Sequence, residues 1–304
     1  MPTVSIIGLG SLGGFVAARL SSLPKAQIQW ILGSSERSGE VQLDCKVPVL
    51  AQADSISHSI KDINGEIVFL TIKTYHNKKV FHQLKGFKNK TIVLLQNGIG
   101  EDEKLAKCLD SSNCIVSATT HIKASYTSSP YTVTLHNELK DCLYTIYQGQ
   151  PSKHLEAVFK YVFDEVTPLP TAHHVRLPKL LISFAANAAS FVYDSDMQGL
   201  AQSSLCRELM LNIEEEFLNL FEYHDIPRPE FDITRLISIL DNPSYKGSYF
   251  SMKEDYNEGR KVEFDAIFKA TCDFAALHNI PFTKSLTVSQ NIENLIATPR
   301  TLLM

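Results

Sequence analysis

Thr3-Val4-Ser5-Ile6-Ile7-Gly8-Leu9-Gly10-Ser11-Leu12-Gly13 is the stretch that decides the fold. An apolar, β-branched run meets a GxGxxG turn, and the pattern Leu12 to Leu20 then continues with helical periodicity. In that setting Gly8 makes the tight turn, Gly10 lets a ligand approach the backbone, and Gly13 lets helix and strand pack closely. The free amides of the helix N-terminus, from Leu9 through Ser11 and Leu12, then face an anion, so the turn is expected to hold the pyrophosphate of a dinucleotide.

Outward from this turn, mostly apolar runs recur at Ile28 to Leu32, Ile67 to Lys73, Thr91 to Gln96 and Ile115 to Thr120, alternating with helical patterns. Strands of this kind are buried on both faces, which predicts a doubly wound parallel sheet. Ligands of such sheets bind beyond the carboxyl ends of the strands, a rule that places Lys73, Asn97 and His121 near the glycine turn. Tyr131 to His136 and Cys142 to Tyr147 read as a hairpin closing this half.

From about Leu177 the periodicity is helical, in Leu177 to Tyr193, Leu205 to Tyr223, Phe231 to Leu240 and Phe264 to His278. Pro168 and Pro170 interrupt any regular element between the halves. The expected division is therefore 1–168, a nucleotide-binding domain, and 169–304, an all-helical domain.

An acid at the end of the second strand would hold the ribose 2′-hydroxyl of NAD. Here Ile31-Leu32 leads instead into Gly33-Ser34-Ser35-Glu36-Arg37. The hydroxyl of Ser34 and the guanidinium of Arg37 suit a 2′-phosphate, so NADPH is the expected cofactor and NADH the alternative.

In the helix from Leu177, the residues Lys179, Ser183, Asn187 and Ser190 form one polar stripe, with apolar residues in the other directions. The pattern predicts a buried helix with one face lining a cavity, and a buried lysine must find an anion or lose its proton. The run Phe250-Ser251-Met252-Lys253-Glu254-Asp255, with Arg260 to Asp265 after it, reads on its own as an exposed, salt-bridged helix start.

The glycine turn, Leu70-Thr71-Ile72-Lys73, Leu94-Leu95-Gln96-Asn97-Gly98, Thr119-Thr120-His121, Lys179 with Asn187, and Ser251-Met252 with Asp255, Arg260 and Glu263 together resemble the ketopantoate reductase family. The resemblance implies a Rossmann domain followed by a helical domain, and NADPH reduction of 2-dehydropantoate to (R)-pantoate. It implies Lys179 as proton donor, Glu263 as the acid beside it, Lys73 as a cofactor contact and Asn97 as a contact to both ligands. Asn187 and Ser251 resemble substrate contacts, as does Ser183, which stands where the family usually has asparagine. A second enzyme reading is a reductase of another small 2-keto acid. A protein that only senses NADPH would need the glycine turn but no lysine within an apolar helix.

The 304 residues carry a net charge of -4, with no long block of basic residues, which argues against nucleic acid or anionic lipid as a partner. No signal-like segment opens the chain, and Leu180 to Val192 is too short to span a bilayer, so a cytoplasmic enzyme is expected. The six scattered cysteines form no CxxC pair, so no metal site or disulfide frame is expected. A homodimer is compatible with the apolar residues of the helical half.

Overall fold

The computed structural model describes residues 1–33, 40–44, 48–128, 130–137 and 140–298. The chain forms two compact units: Met1–Gln96 with Gly100–Val175, and Asn97–Ile99 with Arg176–Met304. The units part between Val175 and Arg176, whereas the sequence suggested 168.

The first unit runs β1 (Thr3–Ile7), α1 (Ser11–Leu20), β2 (Gln27–Ile31), β3 (Glu40–Asp44), β4 (Val49–Gln52), β5 (Ser55–Ser57), β6 (Ile67–Leu70) and α2 (Asn77–Leu84). It continues with β7 (Thr91–Leu95), α3 (Glu101–Ala106), β8 (Cys114–Thr119), β9 (Ala124–Ser128), β10 (Tyr131–Leu135), β11 (Asp141–Gln148), α4 (Leu155–Val162) and β12 (Glu165–Pro168). The main sheet has the order β12-β11-β8-β7-β6-β1-β2-β5. Its five central strands are parallel, and strand order reverses at β1, with β2 on one side and β6 on the other. That reversal opens the crevice in which the glycine turn sits.

Alternate residues of the parallel strands feed two cores, as expected of strands covered on both faces. Val4, Ile6, Trp30 and Phe69 pack with Phe15 of α1 and Phe159 of α4. Ile7, Ile31, Val68 and Leu94 pack with Phe81 of α2 and Leu105 of α3. Pro168 ends the edge strand β12, where the missing N–H removes no ladder bond from the sheet interior.

The expected hairpin does not form. β10 pairs antiparallel with β9 and parallel with β3, in a separate sheet of order β4-β3-β10-β9. β11 instead runs antiparallel to β8 and extends the main sheet. The strands part company because they face different cores: Tyr131 and Val133 of β10 are buried beside α1, while β11 puts Tyr144 edge-on against Phe159 of α4.

His121, just beyond β8, is fixed by this arrangement. Its Nδ1 lies 2.6 Å from Asp141 Oδ2, and its backbone N–H donates to Asp141 Oδ1 at 2.9 Å. Burial alone would raise the Asp141 carboxyl, but the bonds and charge of His121 outweigh it and hold that carboxyl below its usual value of 3.8. Near that value the native state binds fewer protons than the unfolded chain, so the stabilisation is complete above it and is lost as pH falls through the lowered native value. Asp141→Asn is therefore expected to lower the urea midpoint at neutral pH. The gap to wild type should narrow at about pH 3, below the carboxylate range. An equal gap at both pH values would show that the Asp141 charge contributes nothing.

The second unit holds α5 (Ala172–Val192) from Arg176 onward, α6 (Met197–Gln202), α7 (Ser204–Tyr223), α8 (Ile233–Leu240), α9 (Ser251–Asn257), a π-helical turn at Asp265–Lys269, α10 (Ala270–Leu277) and α11 (Thr283–Ala297). The sequence reading had one helix from Phe264 to His278. Here a π turn opens it, a kind of wide turn that is frequent at functional sites. α5 starts well before Leu180, so it is longer than the apolar run suggested. It is the one helix among the described residues with the length and hydropathy to cross a membrane, and 78% of its most apolar window is buried inside the protein. Phe184 of α5 lies in a ring cluster with Phe217, Phe268 and Phe282, the pattern of a helix at the centre of a helical core.

Candidate active site

The glycine turn begins where β1 ends. Gly8 has φ +90°, and a Cβ there would lie 2.4 Å from the Ile72 side chain. A Cβ on Gly13 would lie 1.9 Å from the Gly8 carbonyl oxygen. These two glycines are required by the chain's own backbone. Gly10 is different: its φ is -86°, and among the described residues a Cβ there would meet nothing within 4 Å. Neither conformation nor packing explains its missing side chain, and the open space beside it is what an approaching pyrophosphate needs.

The carbonyls of the turn are tied down. Thr71 Oγ1, at the end of β6, lies 2.6 Å from the Gly8 oxygen, and the Tyr131 hydroxyl lies 2.8 Å from each of the Leu9 and Gly10 oxygens. Among the described residues no side-chain hydrogen bond caps the N-terminus of α1, which leaves the amides of Ser11, Leu12 and Gly13 able to meet an anion. The residues present therefore fit a dinucleotide. The expected 2′-phosphate residues Ser34 and Arg37 lie outside the described residues.

Lys73 follows β6, half-buried, with extended backbone that starts a short 3-10 turn. Behind it is a buried amide network. Asn77 Nδ2 donates to Gln96 Oε1 at 3.0 Å and to Glu101 Oε2 at 2.6 Å, and Gln96 Nε2 donates to the Ile72 carbonyl at 2.6 Å. Gln96 thus anchors the loop that carries Lys73 and directly precedes Asn97. Sequence reasoning missed the network because Asn77 and Glu101 look like ordinary helix-start residues.

In the second unit the Asn97–Ile99 segment is pinned from two sides. Arg176 Nη1 reaches the Gly98 carbonyl at 3.4 Å, and Gly98, with φ +87°, packs so tightly that a Cβ would lie 2.3 Å from the Ala266 oxygen. Asn97 itself is half-buried. Its segment therefore touches the helix bearing Lys179 and the turn that follows Glu263.

Along α5 the polar stripe grades inward. Lys179 and Ser183 are half-buried, whereas Asn187 and Ser190 are buried. Lys179 is thus less enclosed than the apolar pattern suggested. Asn187 already has structural partners: its Nδ2 donates to the Ser183 carbonyl at 2.7 Å, and its Oδ1 accepts the Lys253 backbone N–H at 3.1 Å. That second bond caps α9 and fixes the helix that begins with the exposed Ser251.

The charged run from Ser251 is not the exposed helix start its composition suggested. The Lys253 side chain is buried, with Nζ 2.7 Å from Asp194 Oδ1 and 5.1 Å from the centre of the Phe191 ring. Asp255 is also buried and accepts Arg260 Nε at 2.7 Å, while the Arg260 amide donates to the Asp255 carbonyl at 2.8 Å. Charges survive here because each is paired. The double tie from Arg260 shapes the loop that delivers Glu263, itself only 6% exposed, to the π turn.

A chain built in this way, with a glycine turn over a parallel sheet and a helical unit bearing a polar stripe headed by one lysine, is an NAD(P)-dependent oxidoreductase acting on CH–OH groups. Residues 4–141 match the ketopantoate reductase PanE/ApbA family and residues 171–295 match its C-terminal domain. The chain belongs to that family. No curated protein matches it by sequence.

Among solved structures, the fold is similar to a PanE/ApbA family ketopantoate reductase from Ralstonia eutropha JMP134, with TM-score 0.81, 17% identity, and 97% of this chain and 98% of that one covered. A 2-dehydropantoate 2-reductase from Methylococcus capsulatus has TM-score 0.79 and 15% identity, with 98% of each chain covered. A D-mandelate dehydrogenase with NADH and anilino(oxo)acetate has TM-score 0.76 and 16% identity, with 97% of this chain and 98% of that one covered. At such identities the likeness concerns the fold.

Proposed function

We propose that the chain is an NADPH-dependent reductase converting 2-dehydropantoate to (R)-pantoate, with the first unit holding the cofactor and the second, Asn97 included, the substrate. The observation that carries the reading is the coupling of α5 to α9. One face of α5 presents Lys179 and Ser183, and Asn187 on the same face is bonded to the helix that starts at Ser251 and leads to Glu263.

When bound, reduced nicotinamide supplies the hydride that adds to the substrate carbonyl carbon. The Lys179 ammonium stabilises the negative charge growing on the carbonyl oxygen and then protonates it, which completes the alcohol. Lys179 is half-buried, so solvent can restore its proton. Glu263 balances the ammonium charge in a water-poor setting. The Ser251 hydroxyl donates to the substrate carboxylate, Ser183 and Asn97 orient the rest of the keto acid, and Asn187 holds Ser251 in place. Lys73 and the amides of the glycine turn bind the cofactor phosphates.

The likeness to a D-mandelate dehydrogenase supports a second reading, reduction of another 2-keto acid with NADH or NADPH. Initial rates of NADPH and NADH oxidation with 2-dehydropantoate and a panel of 2-keto acids separate the two. The leading reading expects the highest kcat/KM for 2-dehydropantoate with NADPH. A higher value for another keto acid replaces it with the second, and nucleotide binding without turnover on any of them rejects both.

A further inference from the structure

Gly14 lies just outside the GxGxxG motif, in the interior of α1, where glycine is about 1 kcal/mol less favourable than alanine. Its neighbour explains it. A Cβ on Gly14 would lie 2.5 Å from the Tyr131 hydroxyl and 2.5 Å from Val133 Cγ2. The helix is thinned at this point so that a tyrosine of the smaller sheet can reach past it.

What Tyr131 reaches is the glycine turn. Its ring is buried, held edge-on by Tyr126 with ring centres 5.7 Å apart, and its hydroxyl lies 2.8 Å from two successive carbonyl oxygens, those of Leu9 and Gly10. In a planar trans peptide the N–H points opposite to the C=O. Turning the Leu9 and Gly10 carbonyls toward Tyr131 therefore turns the Gly10 and Ser11 amides away from it. Thr71 does the same for the Gly8 carbonyl and so for the Leu9 amide. Successive amides aimed away from their carbonyls form an anion-binding concavity. The single phenolic proton of Tyr131 is shared between the Leu9 and Gly10 carbonyls, the latter also accepting the Gly14 N–H at 2.9 Å, and a bond accepted by a carbonyl strengthens the N–H of the same peptide as a donor.

We propose that Tyr131 is a positioning residue for the cofactor pyrophosphate, a phenol behind the glycine turn that aims the Gly10 and Ser11 amides at the bound phosphates. The role makes the smaller sheet part of the nucleotide site, although none of its strands belongs to the main sheet. It rests on the reading that a nicotinamide dinucleotide binds at this turn.

The test is calorimetric titration of wild type, Tyr131→Phe and Gly14→Ala with NADPH, with 2′-phospho-ADP-ribose and with adenosine 2′-monophosphate, which lacks the pyrophosphate. Loss of one such bond is expected to weaken NADPH and 2′-phospho-ADP-ribose by about five- to tenfold in Tyr131→Phe. Adenosine 2′-monophosphate should change by less than twofold. Gly14→Ala keeps the phenol but displaces it and should show the same pattern. In turnover, the KM for NADPH should rise far more than kcat falls. Wild-type affinity for both pyrophosphate ligands in Tyr131→Phe overturns the proposal, as does an equal loss for all three ligands, which marks general damage to the unit. A wild-type chain that takes up no dinucleotide overturns the underlying reading together with it.

Discussion

Lys179→Ala is expected to lower kcat by about 10²- to 10⁴-fold, the range for loss of a positioned general acid. On the proposed mechanism, without the ammonium the charge growing on the reacting oxygen loses its cationic partner and the proton must come from water. The half-buried setting of Lys179 offers a way to separate chemistry from folding. Because the position is half-buried, small primary ammonium ions added to the assay should reach it and restore part of the rate, with a dependence on amine size and acidity. A variant that turns over at the wild-type rate would remove Lys179 from the reaction. A slow variant indifferent to every amine would give it a structural role instead.

The second large effect is expected at Gly13. An added methyl group would sit 1.9 Å from the Gly8 oxygen and 2.6 Å from Thr71 Oγ1, so backbone must move. The shift pulls the Gly8 carbonyl off Thr71 and misaims the amides of the turn. Overpacking of this kind costs roughly 1–3 kcal/mol or more, and each kcal/mol lowers Tm by about 2–4 °C in a unit of this size. Gly13→Ala should therefore melt several degrees lower and bind NADPH at least about tenfold more weakly, since the amides that face the phosphates no longer converge. Gly10→Ala is the informative partner. Its Cβ meets nothing within 4 Å among the described residues, so the protein should melt as wild type does while losing affinity for the nucleotide. Equal melting and equal affinity in both variants would detach the turn from nucleotide binding.

The parallel strands were legible because burial on both faces leaves continuous apolar runs, and β1 was read to the residue. The smaller sheet was not. β9 is Ala124-Ser125-Tyr126-Thr127-Ser128, largely exposed, and although it lies nearer to β10 in sequence it has no apolar signal to compete with the more apolar run Cys142 to Tyr147. In the site, the stripe Lys179, Ser183, Asn187 could be read because helix geometry puts every fourth residue on one face. The burial of Lys253 and Asp255 could not, since a run of alternating charges looks the same in sequence whether it is solvated or paired. What pairs Lys253 is Asp194, 59 residues upstream, a distance over which spacing carries no information.

The three residues Asn97–Ile99 have a further consequence. They are carried at the end of β7 yet belong to the second unit, so the chain passes between units three times and no single cut separates them. A fragment begun at Arg176 would present its guanidinium and the tight Ala266 backbone to an empty slot where Gly98 belongs. Dissection, fusion or circular permutation of this protein must therefore treat the loop after β7 as borrowed property. A helical half cut at Arg176 is expected to be less stable than the same half with the Asn97–Ile99 loop retained.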